Sequence, residues 1–158
     1  MSRSSHSARF ATLALLLAAP HLSSGSRPAP GDACSLLAKE DAAAALGEPV
    51  TGPKAVDAPA SGGGKVTGCE YSGSGTHRAQ LNLTVLPANL VPMYREMCAK
   101  QKNDGLAGLG DVACWSKGKH EELHVLKGTA FVSIVLRRSG DPTEPIKALM
   151  TKALGHLK

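Results

Sequence analysis

The chain has 158 residues, a formal net charge of +5, and one Trp, two Tyr and two Phe. That length fits one domain with an ordinary core. Scattered lysines and so few rings exclude a base-stacking or phosphate-tracking surface, so no nucleic-acid partner is expected.

The chain opens like a secretory signal. Arg3 and Arg9 precede an apolar run over residues 10–19, ended by Pro20 and His21. The run is too short to cross a bilayer. The reading is a signal peptide over residues 1–26, a Ser/Pro/Gly-rich leader over 27–33 and a single domain over 34–158. Loss of Arg3 and Arg9 lowers the formal charge from +5 to +3. Gly31-Asp32-Ala33-Cys34 puts an aspartate where a lipidation box needs small residues. The expectation is therefore a secreted or periplasmic protein with no transmembrane segment in the mature chain, with lipidation at Cys34 the lesser alternative.

Cys34, Cys69, Cys98 and Cys114 all follow the signal. An even count in an exported chain favours disulfides, and no C-x-x-C pair suggests a redox or zinc site. Of three pairings, Cys34–Cys69 with Cys98–Cys114 is favoured, because each ties a helical region to a nearby strand. Such loops contribute roughly 3–4 kcal/mol each on a chain-entropy account.

Along the chain, "CSLLAKEDAAAALGEPV" reads as a first helix, with Glu40 and Asp41 in its first turn and Gly47 and Pro49 ending it. Leu37, Ala42, Ala45 and Leu46 form its inward face. A loop follows, with a short strand at 50–56. Its GGGK has Val66 where a phosphate loop needs Ser or Thr, and Pro59 in place of the leading glycine, so the match fails. Strands are predicted at 66–72 and 79–86. In the second, Ala79, Leu81, Leu83 and Val85 alternate with Gln80, Asn82 and Thr84, which implies a sheet with one solvated face. A second helix spans 90–102, with Leu90, Val91, Tyr94, Met97 and Cys98 as its apolar stripe. Strands at 111–116, 121–127 and 130–137 follow, the last two joined by a turn at Lys127-Gly128. Asp141, Pro142 and Glu144 read as N-cap, first-turn proline and capping box of a third helix. Ile146, Leu149, Met150, Ala153, Leu154 and Leu157 line its buried face. This order predicts an α+β fold: an antiparallel sheet covered on one face by helices, with two α/β half-domains discernible.

"CSLLAKEDAAAALGEPVTGP", "GCEYSG", "GLGDVACW" and "LHVLKGTAFVSIVL" resemble small exported bacterial proteins, among them uncharacterised lipoproteins of actinobacteria. The shared features are a Cys-x-Leu-Leu start, a Leu-Gly helix end and a Cys-x-aromatic strand. The resemblance implies an α+β fold and a Cys34–Cys69 disulfide, and it suggests no enzyme. Ala38 stands where a helix-opening Ser or Thr is expected, and the lipidation box is missing, so membrane attachment does not carry over.

One stretch spells a catalytic pattern. His120-Glu121-Glu122-Leu123-His124 matches H-E-x-x-H, which chelates zinc when helical residues four apart share a face. In a strand the two imidazoles stand roughly 13 Å apart, at about 3.3 Å per residue. Gly118 and Gly128 bracket the segment, a β-rich run follows, and His156 is no clear third ligand, so the strand is expected. In "GLGDVACW" the glycines are read as a positive-φ turn capped by Asp111, with Trp115 in the core. No nucleophile elbow is present, and scattered Ser, His and Asp do not define a triad by themselves. The functional expectation is an exported, non-catalytic binding or interaction module for a small molecule or envelope protein. It has no expected catalytic residue, cofactor or metal. The competing expectation is a small metal-dependent hydrolase built on His120, Glu121 and His124.

Overall fold

The computed structural model describes residues 32–59, 65–101, 106–116 and 120–157. The predicted signal peptide, most of the leader, the three glycines of GGGK and Gly118 lie outside them.

A single 3-10 turn, Ala33–Ser35, opens the domain, with the Asp32 carboxylate accepting from the Cys34 N–H. Helix α1 (Lys39–Leu46) begins at Ala38 without a side-chain cap and closes on Gly47 at φ 75°, the left-handed conformation glycine tolerates best. Glu40 and Asp41 in its first turn complement the helix dipole, and Asp41 also pairs with Lys152.

Strands β1 (Thr51–Ala55), β2 (Ala58–Pro59), β3 (Lys65–Ser72) and β4 (Arg78–Val85) follow. Next come α2 (Val91–Ala99), β5 (Val112–Trp115), β6 (Glu122–Lys127), β7 (Ala130–Arg137) and α3 (Thr143–His156). The strands form one sheet in the order β1-β3-β4-β7-β6-β5, with β2 also on β3 and every pair antiparallel. Two three-stranded meanders, β1-β3-β4 and β5-β6-β7, thus meet along β4 and β7. The fold is α+β, as expected.

One sheet face carries Cys69, Tyr71, Leu81, Leu83, Leu123, Val125, Trp115, Val132, Ile134 and Leu136, all buried. Helices α1 and α3 cover it with Ala42, Leu46, Ile146, Leu149, Met150 and Ala153. Each fully buried Leu, Ile or Val contributes about 1.5–3 kcal/mol relative to exposure. The Tyr71 hydroxyl, inside this core, donates to the Leu37 carbonyl at 2.5 Å. Helix α2 lies on the opposite face. Cys98 is joined there to Cys114, whose strand partner His124 alternates with the core-facing Leu123 and Val125.

Several boundaries differ from expectation for local reasons. Helix α2 ends at Ala99, short of 102, and of its predicted stripe Cys98 is buried while Tyr94 and Met97 are half-buried. The β4 alternation breaks at its end. Val85 is 63 % exposed, and Leu86, whose N–H donates to the Thr129 carbonyl, turns inward instead. The β6–β7 turn is Gly128-Thr129. Gly128 at φ 59° in the first central position is the pattern of a tight hairpin that follows the sheet twist. Pro142 holds the capping position of α3, while the Asp141 carboxylate accepts from the Thr143 N–H at 2.9 Å. Glu144 reaches forward to Lys147 at 2.7 Å, so no capping box forms.

Candidate functional site

The strand register builds a row of small and polar residues across the second sheet face. Gly68 lies opposite Asn82, Asn82 opposite Ser133, Ser133 opposite His124, and His124 opposite Cys114. Gln80 Nε2 donates to Asn82 Oδ1 at 3.0 Å, and Asn82 Nδ2 donates to Ser133 Oγ at 3.2 Å. Ser133 is 7 % exposed and is the buried polar residue of the described core; its hydroxyl is satisfied through Asn82, as burial requires. Gly68 is small of necessity, since an added Cβ would lie 2.6 Å from the Val56 carbonyl oxygen.

A groove of about 280 Å³ runs over this row. Pro59 and Val66 wall one side, Tyr94 and Phe131 the other, and Asn82, Thr84 and Ser133 form the floor. The Tyr94 and Phe131 rings are 4.6 Å apart and tilted by 55°. His124 meets the edge of Phe131 at 5.4 Å. Its Nε2 lies 2.9 Å from Glu122 Oε1, and that imidazole contact holds the Glu122 carboxyl below the ordinary glutamate range. Its Nδ1 is buried without a hydrogen-bond partner among the described residues. Among the described residues no carboxylate, ammonium or guanidinium lines the groove, so its polar floor suits an uncharged ligand.

A larger hollow, about 410 Å³, lies between the 108–111 turn and α3. Its charged groups are already engaged. Lys127 Nζ donates to the Leu154 carbonyl at 2.8 Å, tying down the end of α3, and Asp111 Oδ2 accepts from the Gly128 N–H at 2.8 Å. Gly108 and Gly110 do adopt positive φ, as the turn reading requires. Asp111, however, caps the β6–β7 turn and not its own.

The H-E-x-x-H residues are dispersed. Residues 122–127 are strand, paired with β7 from Glu122↔Val135 to Lys127↔Ala130. His120 precedes the strand, stacks on Trp115 at 4.6 Å, and places Nδ1 3.2 Å from Thr143 Oγ1 at the start of α3. His124 points to the other face, against Phe131. The Glu121 carbonyl accepts from the Leu136 N–H. Among the described residues no three His, Cys, Asp or Glu side chains are grouped to hold a metal ion. Trp115 is buried in the core, as expected.

The cysteines pair as Cys34–Cys69 and Cys98–Cys114, with Cα separations of 4.9 and 5.2 Å, and none is free. The first fastens the N-terminal turn to β3 and the second fastens α2 to β5, the edge strand of the sheet.

Sequence reasoning exposed Gln80, Asn82 and Thr84 through their alternation but missed Ser133. The available signal was a single serine in the middle of the apolar run "AFVSIVL".

No protein-family model, curated protein or solved structure matches this chain.

Proposed function

We propose that the protein is an exported binding module that takes an uncharged small molecule in the groove on its second sheet face and does no chemistry on it there. The observation that carries this reading is a polar floor of Asn82, Thr84 and Ser133 between aromatic and apolar walls, with no carboxylate or amine among the described residues that line it. Most small-molecule sites share that balance of apolar walls and a few placed hydrogen-bonding groups. Export is supported by the two disulfides, which persist in oxidising compartments. Among the described residues no helix is long and apolar enough to cross a membrane. The secreted or periplasmic location, and kinship with small exported bacterial proteins, belong to the same proposal. Nothing observed favours the metal-dependent hydrolase, because His120 and His124 serve different neighbours.

Thermal denaturation in the presence of a panel of uncharged sugars and amides, matched against charged analogues, tests the groove. An uncharged compound at about 100 times its Kd should stabilise by about 2.7 kcal/mol. The resulting rise in Tm should vanish in Asn82→Leu, which removes both hydrogen-bonding atoms of Asn82 from the centre of the floor. Shifts confined to charged compounds, or kept in Asn82→Leu, would refute the assignment.

A further inference from the structure

Three segments distant in sequence meet where β4 begins and β7 ends. They are the residue pair after α1, the β3–β4 turn and the residues after β7. The Arg78↔Arg137 register brings the last two side by side. His77 Nδ1 lies 2.8 Å from Glu48 Oε1, and His77 Nε2 lies 3.1 Å from Ser139 Oγ. This is the order acid, imidazole, hydroxyl, with the acid on Nδ1 and the hydroxyl on Nε2, that activates a serine nucleophile.

The arrangement is built up in layers. Glu48 also accepts from the Ser74 N–H at 3.0 Å and the Ser74 hydroxyl at 2.6 Å. Gly73 permits that approach, since an added Cβ would stand 2.2 Å from Glu48 Oε1. A carboxylate held this way fixes the proton on His77 Nδ1 and leaves the Nε2 lone pair toward Ser139. Arg138 positions the serine segment, its Nε donating to the Ser139 carbonyl and its Nη1 to the Ala45 carbonyl. Ser139 itself is exposed, and the His77 and Glu48 side chains are 27 % and 23 % exposed, so the relay is shielded and its hydroxyl is reachable. The Gly140 N–H, one residue on, donates to no group among the described residues and is the candidate oxyanion donor.

We propose that Ser139 is an acyl-accepting nucleophile, with His77 as its general base and Glu48 as the positioning residue, acting on small unhindered esters. Ser139 Oγ attacks the ester carbonyl carbon as its proton passes to His77 Nε2. The C–O bond to the leaving alkoxide breaks, and that oxygen takes the proton from Nε2, leaving an acyl-Ser139. Water, giving its proton to Nε2, then attacks the acyl carbon, and Ser139 leaves with that proton restored. The net change is ester plus water to carboxylic acid plus alcohol. This activity goes beyond the binding reading and does not rest on it. The groove's own serine has no such relay, since Ser133 Oγ accepts from Asn82 and His124 Nε2 faces Glu122.

The test is labelling of the whole protein, disulfides intact, with a fluorophosphonate, and site mapping by peptide mass spectrometry. Label should sit on Ser139 in native protein and be absent from denatured protein. With p-nitrophenyl acetate, a burst of p-nitrophenol should appear that Ser139→Ala lacks while keeping the parent Tm, because only an exposed hydroxyl is removed. His77→Ala should slow labelling about 100-fold or more, the ordinary scale of general-base catalysis. Glu48→Gln should slow it about tenfold or more, with partial recovery in Glu48→Asp, which restores the charge. A cluster that only pins the turn predicts no label on Ser139 above the denatured control, and that result, or an unchanged burst in Ser139→Ala, overturns the proposal.

Discussion

Glu48 illustrates how a single side chain links local structure to solution behaviour. The Ser74 hydroxyl first, then the Ser74 N–H and the His77 imidazole, hold its carboxyl at about 2, against an ordinary 4.5. A depressed carboxyl stabilises the fold when ionised. Its contribution is complete above about pH 4.5 and is lost as pH falls toward about 2. Acid titration of stability, followed by circular dichroism, should therefore show a slope in that window that Glu48→Gln reduces. An identical slope in the variant would show that Ser74 and His77 do not hold the charge in solution. Asp141 is depressed in the same direction by the Thr143 hydroxyl and N–H, so the start of α3 weakens with it.

Among the elements, α2 depends most on one bond. It buries only Cys98 among its residues, and it reaches the sheet through Cys98–Cys114 and the Tyr94–Phe131 contact. Helices of this length have little stability of their own. Replacing both Cys98 and Cys114 by Ser should cost about 2–5 kcal/mol. Amide hydrogen exchange should then rise across α2 while β3, β4 and α3 stay protected. Equal loss of protection throughout would mean that α2 is integral to the core. The same element shows why the second helix was only partly legible. Its apolar spacing correctly marked the face that meets the sheet, but spacing carries no information on which sheet face that is. The H-E-x-x-H segment was legible for the opposite reason. Its strand character follows from glycine brackets, a β-rich neighbour and a two-residue turn, all of them local.

On the scale of the molecule, the β4–β7 seam is the joint between the two meanders. Its eight register pairs run from Arg78↔Arg137 to Val85↔Ala130, and Leu81 lies opposite Ile134 with both fully buried. Leu81→Ala should cost about 2–5 kcal/mol through lost burial and the cavity left behind. Because the seam is shared, Trp115 fluorescence, which reports on the β5 side, should shift to lower urea together with far-UV circular dichroism. A fluorescence midpoint that stays put while circular dichroism moves would show that the halves unfold separately.

What the sequence determined by itself is what short-range physics encodes. The β4 alternation, the glycine-bearing turns and the buried faces of α1 and α3 follow from backbone periodicity and steric limits within a few residues. The even cysteine count likewise predicted two disulfides. Only the tertiary structure decided which strands are neighbours, because pairing across β4 and β7 depends on how all the apolar surfaces are buried together. That choice puts Asn82 against Ser133 across 51 residues of sequence, and it carries Glu48 and Ser139, 29 and 62 residues from His77, to the two nitrogens of one imidazole. No local pattern marks such residues as partners, since each is an ordinary polar side chain in its own segment until the sheet closes.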